Sequence, residues 1–252
     1  MKNKLTKDNY FEDNYYMSTS KWKRFNECEE KGLAPYPPPS DDMLIGSYVD
    51  AWVEGTLDQF KQDHPEIISS RGKTKGQLKA GFKQADEIIE YMKSRDTIMQ
   101  FLSDEKQRIM VGEIEGVPTK IMMDNYSKGI AINDLKIMRS ITNRQGDYID
   151  FVSMWGYDYQ GAIYQEIVRQ NTGETLPFFL IAITKEEPIN SAIINIPQEI
   201  LDTALETVKS SISRYYSIMK GELQAEGCGK CSVCIQKRKD VPIISFYDLI
   251  EG

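Results

Sequence analysis

A single histidine, His64, stands among 252 residues. Catalysis by a Ser-His-Asp or Cys-His set would have to pass through it. It sits in Asp63-His64-Pro65, a polar, turn-like setting without a motif around it, and reads as a surface residue. Long apolar runs are missing too: nothing approaches the roughly 18 residues of a membrane span. Residues 1–16 mix both charge signs and lack the apolar segment of a secretion signal, so the expected compartment is the cytoplasm. A basic excess is also lacking. Lys and Arg number 31 against 38 Asp and Glu, for a net charge of −7. That argues against broad, nonspecific nucleic-acid binding. It leaves room for a local basic groove, because a polyanion responds to the nearby field and not to the total.

What is present fits a globular protein, with 40% hydrophobic and 27% charged residues. Residues 1–17 read as a polar tail, 18–240 as one domain and 241–252 as a C-terminal tail. Ser18-Thr19-Ser20 offers N-cap hydroxyls for a helix running to about Cys28, with Trp22, Phe25 and Cys28 on one side. After the stiff Pro35-Tyr36-Pro37-Pro38-Pro39 connector, a helix is expected over 40–60 and another over 76–95. Strands are expected over 108–113, 119–124 and 130–138, with turns at 115–118 and 125–129. A helix over 155–170, strands over 178–184 and 191–196, and a long helix opened by Pro197 and ended by Gly221 complete the pattern. This succession predicts the α/β class: a mixed sheet with helices on both sides.

The densest chemical signal lies in the first strand group. Asp134 and Lys136 are two apart on an expected strand, so their side chains leave the same face. Asp124 closes the strand before, one turn away, so the three groups can meet at one end of a hairpin. Two carboxylates supply hard oxygen ligands for Mg²⁺ or Mn²⁺, and a lysine beside them can orient a water and offset charge on phosphorus. Lys120, Asp124, Asp134 and Lys136 interrupt an otherwise apolar β region, where charges must be paired or metal-bound. Gln160 and Tyr164 share one face of the next helix.

Asp124, Asp134-Leu135-Lys136 and Gln160-Gly161-Ala162-Ile163-Tyr164 together resemble the PD-(D/E)XK nucleases of the RecB type. Residues 44–52, 152–172 and 176–179 look typical of phage and prophage RecE-like exonucleases, the exodeoxyribonuclease VIII group. The resemblance runs from about residue 18 to 234. It implies a restriction-endonuclease-like core flanked by helices. Asp124 and Asp134 would be metal ligands joined by the Leu135 carbonyl, and Lys136 the catalytic lysine. Gln160 and Tyr164 would support that lysine or contact DNA phosphates. Members often add a G-x-x-x-H helix whose histidine is a further ligand; here Gly46-Ser47-Tyr48-Val49-Asp50 places Asp50 there, with Glu54 in reserve on the same face. Glu113 reads as structural. The implied activity is two-metal hydrolysis by a 5′→3′ exonuclease acting on linear duplex ends for phage-type recombination. An annealing protein and a homo-oligomer would be its partners. The alternatives are a noncatalytic DNA-binding or scaffold protein on the same fold, and a redox sensor.

Four cysteines remain: Cys28, and Cys228, Cys231 and Cys234 in a C-x-x-C-x-x-C run. Such a cluster points to metal or redox use rather than to disulfides, and four thiolates suit Zn²⁺ or an Fe–S cluster. One cysteine before the core and three after it resemble the [4Fe–4S] sites of AddB-type and CRISPR-associated nucleases. Zn²⁺ and free thiols are the other readings.

Overall fold

The computed structural model describes residues 5–243 and 245–249. In chain order the elements are α1 (Lys7–Tyr10), β1 (Met17–Ser18), α2 (Thr19–Glu27), α3 (Glu29–Leu33), α4 (Asp41–Glu54), α5 (Leu57–Asp63), α6 (Ala80–Lys93), α7 (Asp96–Phe101), β2 (Glu105–Ile114), β3 (Val117–Ser127), β4 (Ala131–Met138), α8 (Phe151–Met154), α9 (Tyr157–Thr172), β5 (Phe178–Thr184), β6 (Ser191–Asn195), α10 (Gln198–Met219) and α11 (Ser232–Lys237). The strands form one mixed sheet in the order β1-β3-β4-β5-β6, with β2 also paired to β3. β1 runs parallel to β3 and β4 parallel to β5; the other pairs are antiparallel.

The sheet is buried on both faces, and the strand period decides which residue goes where. On β5, the unbroken apolar run Phe178–Thr184 sends Leu180 and Ala182 into one core and Ile181 and Ile183 into the other. The first core is closed by α2, α9 and α10 through Trp22, Phe25, Ile163, Ile167, Leu201, Val208 and Ile212. The second is closed by α4 and α6 through Leu44, Ile45, Tyr48, Val49, Phe82, Ile88, Ile89 and Met92. On β4 the same alternation puts Leu135 in the second core. Asp134 and Lys136 therefore face the α2–α9 side.

Three expectations are corrected. The helix over 40–60 is two helices, because Gly55 adopts a left-handed φ of 77° and caps α4. The turn over 125–129 is mostly strand, and β3 continues to Ser127. Its turn-type residues instead form a buried polar knot: Asn133 Nδ2 donates to the Phe101 carbonyl at 2.9 Å and to Ser127 Oγ at 3.2 Å, and Ser127 Oγ donates to Asp104 at 2.5 Å. The polar tail is not a tail where it is described. Met17 is fully buried and Tyr10 nearly so. Buried Lys120 donates to the carbonyls of Tyr10 at 2.5 Å and Asp13 at 2.9 Å, and pairs with the Asp13 carboxylate at 3.3 Å. The lysine finds its counter-charge in the segment that sequence patterning assigned to solvent. Residues 1–4, 244 and 250–252 of the two expected tails lie outside the described residues.

Helix α2 begins where Ser18 Oγ accepts from the Lys21 N–H at 3.2 Å. Fully buried Trp22 fastens it: the indole packs against Tyr159 and Tyr215 and donates to Ser211 Oγ at 3.2 Å. Replacing a buried tryptophan by alanine costs about 3–5 kcal/mol. Trp22→Ala is therefore expected to lower the thermal midpoint by roughly 10 °C, measured by differential scanning fluorimetry; a change under about 2 °C would show that α2 is not held by this contact.

Candidate active site

The site forms where a β-ladder stops. β3 and β4 pair at Asn125–Asn133, Tyr126–Ile132 and Ser127–Ala131, and no further. Along the same strand β1 pairs only at Thr119 and Lys120. Residues 121–124 of β3 are left between these partners, and Asp124 stands at the fork. Its carboxylate replaces the missing backbone acceptor: the Leu135 N–H donates to Asp124 Oδ2 at 3.1 Å. Asp124 is thus part of the sheet's hydrogen bonding and also faces the opening.

Three oxygen groups converge on one ammonium there. Lys136 Nζ forms an ion pair with Asp134 Oδ2, donates to the Leu135 carbonyl at 3.3 Å and lies 4.0 Å from Asp124 Oδ2. Asp134 is almost fully buried, and its other oxygen accepts from Gln160 Nε2 at 2.7 Å. Burial works against the Lys136 ammonium, but the charges of Asp134 and Asp124 outweigh it and hold its pKa above the usual lysine range. Burial, and then the charge of Asp134, push the Asp124 carboxyl well above the ordinary carboxylate range. The donor set of two carboxylates and a main-chain carbonyl consists of hard oxygens that suit Mg²⁺ or Mn²⁺.

Asp50, on α4, faces the same opening. With Ser47, Glu54, Lys7, Phe11 and Asp124 it lines a cleft of about 450 Å³. Burial, then Asp134 and Glu54, raise its pKa to about 7, against the pull of Lys136. Glu54 is engaged by Lys7 of α1 at 2.5 Å. Tyr164 does not reach the lysine: its hydroxyl donates to the Met122 carbonyl at 2.8 Å and ties α9 to β3. Glu113 lies outside, its main chain bonded to Gln170. His64 bonds Glu66 at 2.8 Å beyond α5.

A wider cleft of about 990 Å³ opens from Asp124, Asp134 and Lys136 toward α2, walled by Lys23, Arg24, Lys31 and Tyr36 on one side and by Met154, Trp155 and Gly156 on another. Sequence reasoning missed Lys23. Burial, and then the charge of Lys136, draw its pKa down to about 8, against Asp134 and Asp158. Its position after Trp22, on a helix whose docking puts it over the site, was the only sequence signal.

The four cysteines do come together. Cys28 lies between α2 and α3, Cys228 and Cys231 precede α11, and Cys234 is within it. All four sulfurs lie within 4.8 Å of one another, with Cys28–Cys234 at 3.6 Å and Cys228–Cys234 at 4.0 Å. None of them is in a disulfide. The N–H groups of Lys230 and then Cys231 lower the Cys228 pKa to about 6, whereas at Cys234, against the Gly229 backbone, burial and the Cys28 thiol raise it to about 11. Sulfurs bound at ~2.3 Å around a tetrahedral ion stand about 3.8 Å apart. A four-iron cluster puts metal and sulfide between the thiolates and needs wider spacing.

Asp50 carries a pH prediction. Its folded pKa of about 7 lies above the ordinary 3.8, so the folded state binds its proton more tightly than the unfolded state. The resulting penalty is absent below about pH 4, grows up to about pH 7 and is constant above. Without added Mg²⁺ or Mn²⁺, Asp50→Asn is expected to melt higher than wild type at pH 8 by a few degrees and to match it near pH 4. Thermal scans across that range check this; a pH-independent difference would contradict it.

Comparison with known proteins places these features in a family. The family described as a PDDEXK-like domain of unknown function (DUF3799) matches residues 18–237, a span that holds the fork, α9 and all four cysteines. No curated protein matches. Among solved structures, the crystal structure of a "putative exonuclease" from Eubacterium rectale is 42% identical over 99% of this chain and 99% of that chain, with a TM-score of 0.88. A second solved chain, SSO0001, is 13% identical over 81% of this chain and 89% of that one; its TM-score of 0.30 carries no argument. The mixed sheet, its flanking helices and the match over most of the length agree: this chain belongs to the PDDEXK-like DUF3799 family.

Proposed function

We propose that this chain is a metal-dependent deoxyribonuclease whose active site is the fork between β3 and β4. The observation that carries the reading is the convergence of Asp124, Asp134 and the Leu135 carbonyl on the Lys136 ammonium. The PDDEXK-like family and the exonuclease description of the Eubacterium rectale neighbour support the same class.

In this reading Asp124, Asp134 and the Leu135 carbonyl hold Mg²⁺ or Mn²⁺, with Asp50 as a further ligand from α4. The bound ion supplies Lewis acidity and a water of lowered pKa. Lys136 gives up part of its contact with the carboxylates, orients the attacking water and neutralises charge on the phosphoryl oxygens. Gln160 keeps one Asp134 oxygen occupied, so the other stays aimed at the opening. Tyr164 acts through the backbone: by holding the Met122 carbonyl it fixes β3 two residues before Asp124.

The finer reading is 5′→3′ digestion of linear duplex ends, feeding an annealing protein in phage-type recombination. It rests on the resemblance of residues 44–52 and 152–172 to RecE-like exonucleases. Homo-oligomerisation rests on that resemblance alone. For the cysteines, the sulfur spacing favours a single tetrahedral ion such as Zn²⁺ over an iron–sulfur cluster. Its role is to fasten the C-terminal segment to α3, beside the Arg214–Glu29 pair at 2.6 Å.

End-labelled linear duplex DNA with Mg²⁺ or Mn²⁺ tests the activity. Wild type is expected to release label, and Lys136→Ala, assayed well below its own melting temperature, to be slower by about 100-fold or more. The comparison of 5′ with 3′ label gives polarity. Binding without cleavage by either protein would replace the nuclease by a noncatalytic DNA-binding protein on this fold. Metal analysis of the purified protein tests the second centre: about one zinc per chain and no absorbance near 400 nm are expected, whereas iron with broad absorbance there would make it an iron–sulfur site.

A further inference from the structure

The wide cleft has a wall that hydrolysis at the fork does not use. Met154, the last residue of α8, and Trp155, in the turn that leads into α9, are 66% and 57% exposed and line the cleft beside Gly156. Large apolar groups open to solvent at the mouth of a polar cleft mark a contact surface. Lys23 reaches across to the same turn from α2. Its Cε lies 3.4 Å from where a Cβ on Gly156 would stand, and Gly156 has a φ of 60°, so a side chain there would be strained and would crowd the lysine. The Lys23 ammonium is 5.1 Å from the centroid of the Tyr157 ring, and the Lys136 ammonium is 5.5 Å from that same centroid. Two cations therefore flank one ring, one at the carboxylates and one beside Trp155. An aromatic face next to a cation is the pair of groups that one unit of a nucleic-acid strand requires: a surface on which a base stacks and a charge for its phosphate.

We propose that Trp155 and Lys23 form a nucleotide-binding subsite beside the carboxylate fork, where the Trp155 indole stacks on a base of a single strand and the Lys23 ammonium takes the adjacent phosphate. This rests on the nucleic-acid reading above and names the part of the substrate that the cleft holds. The chain's net charge of −7 does not oppose it, because the α2 side of the cleft carries Lys23 and Arg24 beside the Lys31–Glu27 pair. Strand bases are read here by their faces, so the subsite tolerates any sequence.

The experiment uses an oligothymidylate of about 12 nucleotides with Ca²⁺ in place of Mg²⁺. Of the three tryptophans, Trp22 is fully buried and Trp52 half-buried on α4, so Trp155 is the one exposed to a ligand in this cleft. Saturating oligonucleotide is expected to quench intrinsic fluorescence in wild type and not in Trp155→Phe. Trp155→Ala is expected to weaken binding roughly 5- to 100-fold by anisotropy of a labelled strand. Lys23→Met is expected to reduce the slope of log affinity against log salt by about 0.7. All variants are checked for wild-type melting temperature. An unquenched complex, an unchanged slope in Lys23→Met, or no binding at all would overturn the subsite. Duplex hydrolysis by the same preparations separates the two readings. Cleavage without quenching removes the subsite and leaves the nuclease; quenching without cleavage in Mn²⁺ removes the nuclease and leaves the subsite.

Discussion

The hydrogen bond from the Leu135 N–H to Asp124 is what the remainder of the site depends on. A buried backbone N–H must find an acceptor, and at this point β3 no longer offers one. The carboxylate fills that need, which fixes it on the strand edge and allows β3 and β4 to part. The parting creates the opening, and the strand period then delivers Asp134 and Lys136 to it from the facing strand. A carboxylate that satisfies the sheet cannot swing away from the site without leaving an amide unpaired.

The charge pattern follows from the same crowding. Asp124, Asp134 and Asp50 crowd around one lysine, and burial, then the neighbouring acidic charges, raise the pKa values of Asp124 and Asp50 against its pull. Positive groups are collected on the opposite side of the opening, on α2. A chain with net charge −7 thus keeps basic side chains on one side of the opening and acidic ones on the other.

Much of this was legible in the sequence. Asp134 and Lys136 stand two apart in an apolar strand, and period two puts them on one face whatever the fold. Gln160 follows at helical spacing, and the unbroken apolar run of β5 marks a strand covered on both sides. Other parts depend on which surfaces meet. Lys23 enters the site only because Trp22 docks α2 onto Tyr159 and Tyr215. Asn125, Ser127 and Asn133 have turn-forming side chains, yet they are buried and bond one another, the Phe101 carbonyl and Asp104. Residues 7–17 look solvated until Lys120, buried in the sheet, claims Asp13. In each case a polar group is reinterpreted by a partner distant in sequence, which no local pattern contains.

The cysteine centre also imposes an order in time. Cys28 and Cys228 are 200 residues apart. At about 5–20 residues per second of synthesis, the first thiol waits roughly 10–40 s for its partners. Until they arrive, Cys28 lacks the three sulfurs that stand within 4.8 Å of it in the finished chain. The two ends of the chain therefore meet at these sulfurs only once translation has passed Cys234.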